Sequence, residues 1–404
     1  MAKAVQNRPA DNWGPQYFLA SVGAGGLVVT FFMWLYMWIP HPGQPVPVFE
    51  DVALAFANGG ALQQAMILIA ALGVAIFAVL NLKMLFWNIG RLNRFKKTDG
   101  YSKLIGTNAQ SQLTALPLAI AMTVNVGFIL GLVFVPGLWG VVEYLFPLAM
   151  IAFALTAWLA FAQIGSFVAQ VLTPGRFKFA ANNSFGQVLP AFALSMIGVG
   201  FSAPAALSAS PLTAGVALIA STLLLVMAAL WALIAVVLGI ASILQNGTNI
   251  ETAPTLLIIV PLMTVLGILM LRQGHGLHVH FGAHETAGGA LRMLTAFLSV
   301  QVAFGLFGLT VLRAQGYGAR FLTGAEPSVG SYALVCPGIA LSVMMQFWIN
   351  NGLVGAGLVV KFGVGYWVLS AIAVGFQVSM ILLVLTLNRR HFRAPQGKAA
   401  MPAQ

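Results

Sequence analysis

The chain has 404 residues, of which 60% are apolar and only 7% are charged, and its formal net charge is +11. A soluble domain carries about 25% charged residues, so this composition excludes a globular protein with a water-facing surface and predicts an integral membrane protein. The apolar runs are continuous, and a helix of about 20 residues crosses roughly 30 Å of hydrocarbon. The spans are therefore predicted to be helices.

Ten transmembrane helices are predicted within one domain, 1–404. In chain order they cover about 15–39, 62–88, 109–135, 142–172, 184–207, 213–244, 254–272, 286–314, 329–350 and 363–388. The first is interpreted as a retained helix, because its apolar run is too long for a signal peptide. Segments 1–14 and 389–404 are expected to lie in the cytoplasm at either end of the ten-helix region, 15–388.

The basic residues fall mainly in alternate connections. The rich set comprises Lys3, Arg8, Lys83, Arg91, Arg94, Lys96, Lys97, Lys103, Arg176, Lys178, Arg313, Arg320, Arg389, Arg390, Arg393 and Lys398, and the poor set comprises Arg272, Arg292 and Lys361. The positive-inside rule places the rich set and both termini in the cytoplasm, which requires an even number of spans. The connection 245–253 departs from the rule. We expect a cell membrane, the inner membrane of a bacterium, and we interpret 91–97 as a topology signal rather than a nucleic-acid site.

Prolines recur in the odd-numbered spans. Pro117, Pro190, Pro261 and Pro337 are 71 to 76 residues apart, and the first span carries Gly25 and Gly26 in the same region. A proline inside a helix removes a backbone hydrogen bond and kinks the helix, which a membrane tolerates only where neighbours or water satisfy the freed carbonyl. The pattern predicts five helical hairpins, with kinked odd helices around a wet axis and even helices facing lipid.

The residues around these prolines resemble a known family. The matching pieces are Tyr17-Phe18 before a glycine-rich helix, Leu116-Pro117, Asn183-Ser184-Phe185 with Leu189-Pro190, Ala253-Pro254 with Val260-Pro261, and Ser331-Tyr332 with Cys336-Pro337-Gly338. The chain is similar in this pattern to the tellurite-resistance and dicarboxylate transporter family, which includes the plant guard-cell slow anion channel and fungal malate and sulfite transporters.

The resemblance implies an all-α integral membrane fold, with ten transmembrane helices as five helical hairpins around a quasi-five-fold central pore. It also implies a pore for small anions, and a homotrimer with one pore per subunit. In channel members a phenylalanine just before the proline of span nine plugs the pore, and Cys336 occupies that position here. The constriction is then absent, or supplied by Leu334, or supplied by another helix, for example by Phe192; alternatively the protein is a carrier.

Polar but uncharged side chains are the remaining candidates for the pore. They are Thr114, Asn125, Ser195, Thr264 and Ser342. No charge lies at the middle of a predicted odd span, which favours a passive anion channel or facilitated exporter over a proton-coupled carrier of dicarboxylates or sulfur oxyanions, the main alternative. No histidine lies inside a predicted span, so a haem or quinone subunit is disfavoured. We expect no cofactor and no enzymatic activity.

A histidine-rich segment follows the seventh predicted span. His275, His278, His280 and His284 fall in a predicted glycine-rich outer loop. Imidazoles are ligands for zinc or copper and titrate near neutral pH. Three interpretations therefore remain: a metal site, a pH-sensitive lid and an ordinary solvated loop. Arg292 is expected to reach the outer surface or to pair with Glu285.

Overall fold

A computed structural model describes residues 8–284 and 286–393 of the chain. The fold is 83% helical, with no strand in those residues. The helices are α1 (Phe18–Trp38), α2 (Phe49–Asn58), α3 (Ala61–Phe95), α4 (Asp99–Leu104), α5 (Ala115–Phe134), α6 (Val142–Phe167), α7 (Leu189–Leu207), α8 (Pro211–Asn246), α9 (Ile259–Phe281), α10 (Ala287–Ala314), α11 (Val335–Phe347) and α12 (Val364–Phe392). All but the short α2 and α4 belong to ten segments long and apolar enough to cross a membrane. The prediction of an all-α, multi-pass membrane protein is confirmed.

Burial separates the ten long helices into two sets. In the most apolar stretch of α1, α5, α7, α9 and α11, between 50% and 94% of the residues are buried, against 17% to 39% in α3, α6, α8, α10 and α12. We call the first set the inner helices and the second the outer helices. Large apolar side chains stand exposed along the outer helices, such as Ile76, Trp158 and Leu233. Such surfaces are stable only against lipid.

The contacts between helices follow a regular order. Among the inner helices, α1 packs against α5, α5 against α7, α7 against α9, α9 against α11, and α11 against α1. Each inner helix also packs against the outer helix that follows it in the chain: α3, α6, α8, α10 and α12 in turn. The closest approaches depend on glycine. A Cβ atom on Gly26 of α1 would lie 2.8 Å from Ile339 Cγ2 of α11, too close for a larger residue without movement.

Buried amides fasten outer helices to inner ones. Asn81 of α3 donates from Nδ2 to the Ser21 carbonyl of α1 (2.8 Å), and Thr123 Oγ1 of α5 donates to Asn81 Oδ1 (3.0 Å). Gln301 of α10 donates to the Val260 carbonyl of α9 (2.8 Å). Because lipid tails are as apolar as leucine, packing and such interhelical hydrogen bonds hold membrane helices together.

Each inner helix begins with a short 3₁₀ turn. These turns are Pro15–Tyr17, Asn108–Thr114, Gly186–Val188, Ala253–Leu257 and Val329–Leu334. Several of them touch one another, and Phe185 N, just before one turn, donates to Thr255 Oγ1 in the next (3.1 Å). The inner helices therefore begin at one end of the molecule, which we call the starting end.

The four recurring prolines lie in the first turn of the α-helix that follows each 3₁₀ turn. Pro117 is the third residue of α5, Pro190 the second of α7, Pro261 the third of α9 and Pro337 the third of α11. The sequence analysis predicted kinks in the middle of the spans, and the position of these prolines at the start of the α-helices differs from that prediction. The first turn has no intrahelical partner for a backbone N–H, so proline costs little there.

Several helices run further than the sequence predicted, among them α3, which was expected to end at 88 and continues to Phe95. The seventh span was expected to end at 272, but α9 continues to Phe281. Gly276 lets this extension lie directly on the α7 backbone at Ala205, where a Cβ would clash. Glycine and histidine had favoured a loop, yet tertiary packing keeps the segment helical and the loop prediction for His275, His278 and His280 is wrong. The last helix, α12, continues to Phe392 and so takes in the start of the predicted tail, 389–404.

Candidate functional site

A cavity of about 530 Å³ lies between the inner helices. All five contribute to its wall, which includes Val29 of α1, Phe128 of α5, Met196 of α7, Ile268 of α9 and Val343 of α11. We call it the main cavity. Its wall is mostly apolar, with a few polar groups, which is the usual composition of a binding site for a small molecule.

The main cavity extends away from the starting end. Its lining includes Pro45 from the connection after α1, Leu207 at the end of α7, Ala287 at the start of α10 and Asn351 beyond α11. All these positions lie at the ends of inner helices opposite the starting end. We call this end the wide end.

Three residues lie between the main cavity and a smaller one. The second cavity, about 30 Å³, is lined near the starting end by residues such as Gln16, Gln112 and Thr255. Phe192, Pro261 and Cys336 line both cavities, and the side chains of Phe192 and Cys336 are almost fully buried. We call these three residues the constriction.

Arg272 of α9 brings a positive charge to the main cavity. Among the described residues that line the cavity, it is the only Lys, Arg, Asp or Glu. It is half-buried, and Nη1 donates to the Val199 carbonyl of α7 (3.1 Å). Within residues 8–284 and 286–393 no carboxylate comes within salt-bridge distance of it. A guanidinium has five N–H donors and no acceptor, so most of its donors are left for a bound molecule.

The sequence analysis had counted Arg272 among the charges of the connections. That placement is wrong because the seventh span was ended at 272, whereas α9 continues past it. With α9 extended to Phe281, Arg272 lies more than two turns inside the helix and faces the cavity. The apolar face of the helix continues through Leu277, and this pattern could have predicted the longer helix. The glycines in the same segment favoured a loop instead.

Three predicted polar and glycine positions line the main cavity: Gly26, Asn125 and Thr264. Asn125 Nδ2 donates to the Ala121 carbonyl of its own helix (2.9 Å). Thr264 Oγ1 donates to the Ala340 carbonyl (2.9 Å) and accepts a hydrogen bond from Gln301. Thr264 is therefore engaged in packing α9 against α11 and α10, and Asn125 keeps its carbonyl oxygen for the cavity.

The other predicted pore residues lie outside both cavities. Gly25, Thr114, Pro117, Pro190, Ser195, Leu334, Pro337 and Ser342 are absent from both linings. Thr114 and Ser195 donate to carbonyl groups three residues earlier, Ser111 and Phe192. Leu334 packs instead against a cluster that includes Leu257 and Tyr317. Of the three candidates for a gate, Phe192 and Cys336 lie at the constriction.

The histidine segment is partly a wall of the main cavity. His275 and His278 line it near the wide end, while His280 Nε2 lies 2.9 Å from the Ser208 carbonyl. No three His, Cys, Asp or Glu side chains come together as a metal requires within the described part of the chain. Arg292 is exposed on α10, and its predicted partner Glu285 lies outside the described residues.

No protein-family model and no curated protein matches the chain significantly.

Proposed function

We propose that the chain transports anions across the membrane along an axis enclosed by the five inner helices, as an anion channel or facilitated anion exporter. In this proposal five hairpins surround the axis in a quasi-five-fold arrangement, and the outer helices separate it from lipid. The observation that carries the proposal is a cavity walled by all five inner helices, in which Arg272 is the only Lys, Arg, Asp or Glu among the described residues.

The energetics of a cation inside a membrane favour a role in transport. An ionisable group in a membrane is costly and usually faces a ligand or a water-filled path. Arg272 has one hydrogen bond to a carbonyl among the described residues, so its charge lacks compensation there. An anion entering from the wide end supplies it, and the positive field raises the local concentration of anions.

A carrier is the second candidate, and the constriction favours it. The main cavity reaches the wide end, whereas the second cavity, beyond Phe192 and Cys336, measures about 30 Å³. A binding cavity accessible from one side is one state of an alternating-access carrier. The same closure describes a shut channel, so flux kinetics must separate the two.

We further propose, from the family resemblance, a homotrimer with one pore per subunit.

Flux from proteoliposomes tests the proposal. Purified protein is reconstituted and assayed with chloride, nitrate, sulfite, malate and benzoate, and Cys336→Phe is compared with Leu334→Phe. A ring added at the constriction narrows the path, and a barrier to passage raised by about 1.4 kcal/mol lowers the rate tenfold, so Cys336→Phe is expected to lower flux about tenfold. Leu334→Phe adds a ring of the same size two residues away, outside both cavities, and is expected to leave flux near wild type.

Two results would count against the proposal. Absence of flux for every anion in the panel rejects transport of this class, and equal effects of the two variants reject the constriction as the narrow point. A pH gradient imposed at fixed voltage then separates the candidates: a channel follows the electrochemical gradient of the anion alone, and a proton-coupled carrier saturates and responds to the pH gradient.

A further inference from the structure

We infer that the main cavity binds an organic monoanion with an apolar body, holding its carboxylate or sulfonate group on Arg272 and its body against the aromatic and aliphatic wall. The inference rests on the proposed function and deepens it, since this class of molecule would be the transported substrate. Size, wall chemistry and charge each support it.

The size of the main cavity exceeds what an inorganic anion needs. It measures about 530 Å³, within the range of roughly 300–1,000 Å³ found for pockets that bury a small organic molecule. A chloride ion is comparable to a water molecule, which takes about 30 Å³ in the liquid. With one chloride ion bound, most of the cavity would still have to be filled by water in contact with apolar walls.

The wall of the main cavity offers stacking surfaces. Phe32 and Tyr36 stack with ring centroids 6.1 Å apart, and Tyr36 meets Phe347 edge to face at 6.2 Å. All three rings line the cavity, and Met33 and Met196 line it as well. Methionine adapts to irregular ligands, and aromatic rings bury a large apolar area. Contact with such a wall stabilises a bound apolar body, because apolar surface is removed from water. It does not stabilise a hydrated inorganic ion.

The charge of the lining favours a ligand that carries a single negative charge. Arg272 is the only Lys, Arg, Asp or Glu among the described lining residues, and the imidazoles of the lining, His275 and His278, both lie near the wide end. Elsewhere in the cavity a second carboxylate of a dianion would be desolvated without a cation beside it. The planar guanidinium matches a carboxylate through two parallel hydrogen bonds. Its bond to the Val199 carbonyl fixes one nitrogen, Nη1, and orients the group.

Equilibrium binding to the purified protein in detergent tests the inference without requiring transport. The probes are benzoate and hexanoate, with benzyl alcohol as the neutral analogue, chloride as the inorganic anion and malonate as the dianion, measured by calorimetry. We expect benzoate and hexanoate to bind, and chloride and malonate to compete poorly. Loss of charged hydrogen bonds in Arg272→Gln is expected to weaken benzoate binding by about tenfold or more, and Arg272→Lys by less.

The control is Arg292→Gln, which removes the same charge from an exposed position on α10 and should bind benzoate as wild type does. The inference is overturned if chloride competes as well as benzoate, if Arg272→Gln binds benzoate unchanged while remaining monodisperse, or if neither organic anion binds. Benzoate binding without any flux from proteoliposomes would reject the proposed function alone. Chloride flux without benzoate binding would reject this inference alone.

Discussion

Phe192 and Cys336 occupy the constriction with very different volumes. Both line the two cavities, and Phe192 is the only aromatic ring among the described residues that do so. Cys336 is small and also the only cysteine in the chain. A phenylalanine is therefore present at the constriction, but it comes from α7, and the position before the span-nine proline contributes little bulk. This arrangement was one of the alternatives left open by the sequence.

Removing the Phe192 ring is expected to open the constriction. Phe192→Ala joins the two cavities, so anion flux from proteoliposomes should rise severalfold, on the order of a 1 kcal/mol lower barrier. The substitution also removes core packing, which costs about 3–5 kcal/mol in a well-packed site. Phe201→Ala is the matched control, because Phe201 is buried on the same helix and lines neither cavity. Unchanged or lower flux in Phe192→Ala, with normal flux in Phe201→Ala, would contradict a blocking role.

At the scale of elements, hydrogen bonds between buried side chains and neighbouring helices add to the apolar packing of the inner helices. Asn81 joins three helices: α3 through its own backbone, α1 through Ser21 and α5 through Thr123. Ser21 Oγ in turn donates to the Asn81 carbonyl (3.0 Å). Replacing Asn81 leaves buried polar groups on both neighbouring helices without this partner.

Asn81→Leu is therefore expected to destabilise the protein. Interhelical hydrogen bonds in membranes contribute about 0.6 kcal/mol each on average, so losing this cluster should cost roughly 1–2 kcal/mol and lower the unfolding midpoint by a few degrees. Thermal unfolding in detergent measures the change. Asn93→Leu makes the same exchange at an exposed position of the same helix and should leave the midpoint unaltered. Equal unfolding midpoints for the two variants would show that the hydrogen bonds of Asn81 do not stabilise the packing of these helices.

The sequence predicted the number and order of the long helices because each hydrophobic run is a local property of the chain. Its proline spacing also picked out four of the five helices that prove to be buried. What it missed depends on tertiary contacts. The extension of α9 beyond 272 packs Gly276 against Ala205, and it leaves Arg272 inside the helix rather than at its end. Likewise, which hydroxyls face the cavity depends on helix rotation, so Ser195 and Ser342 were indistinguishable from Thr264 beforehand.

At the scale of the whole molecule, the uneven distribution of basic residues between its two ends is the argument for its orientation in the membrane. Lys97 and Lys178 lie in connections at the starting end, and both are exposed. The connection around Leu358, at the wide end, is exposed as well and carries one nearby lysine, Lys361. If positive connections stay in the cytoplasm, the starting end faces the cytoplasm and the main cavity opens outward.

Thiol labelling determines this orientation directly. Starting from Cys336→Ser, which removes the only native thiol, one cysteine is placed at Lys97, at Lys178 or at Leu358. A membrane-impermeant maleimide should label Leu358→Cys in right-side-out vesicles, and Lys97→Cys and Lys178→Cys only in inverted ones, because a charged reagent cannot cross the bilayer. The cysteine-free protein is the blank, and detergent-treated vesicles give full labelling. The reverse pattern would turn the main cavity toward the cytoplasm, where Arg272 would collect anions for export instead of receiving them from outside.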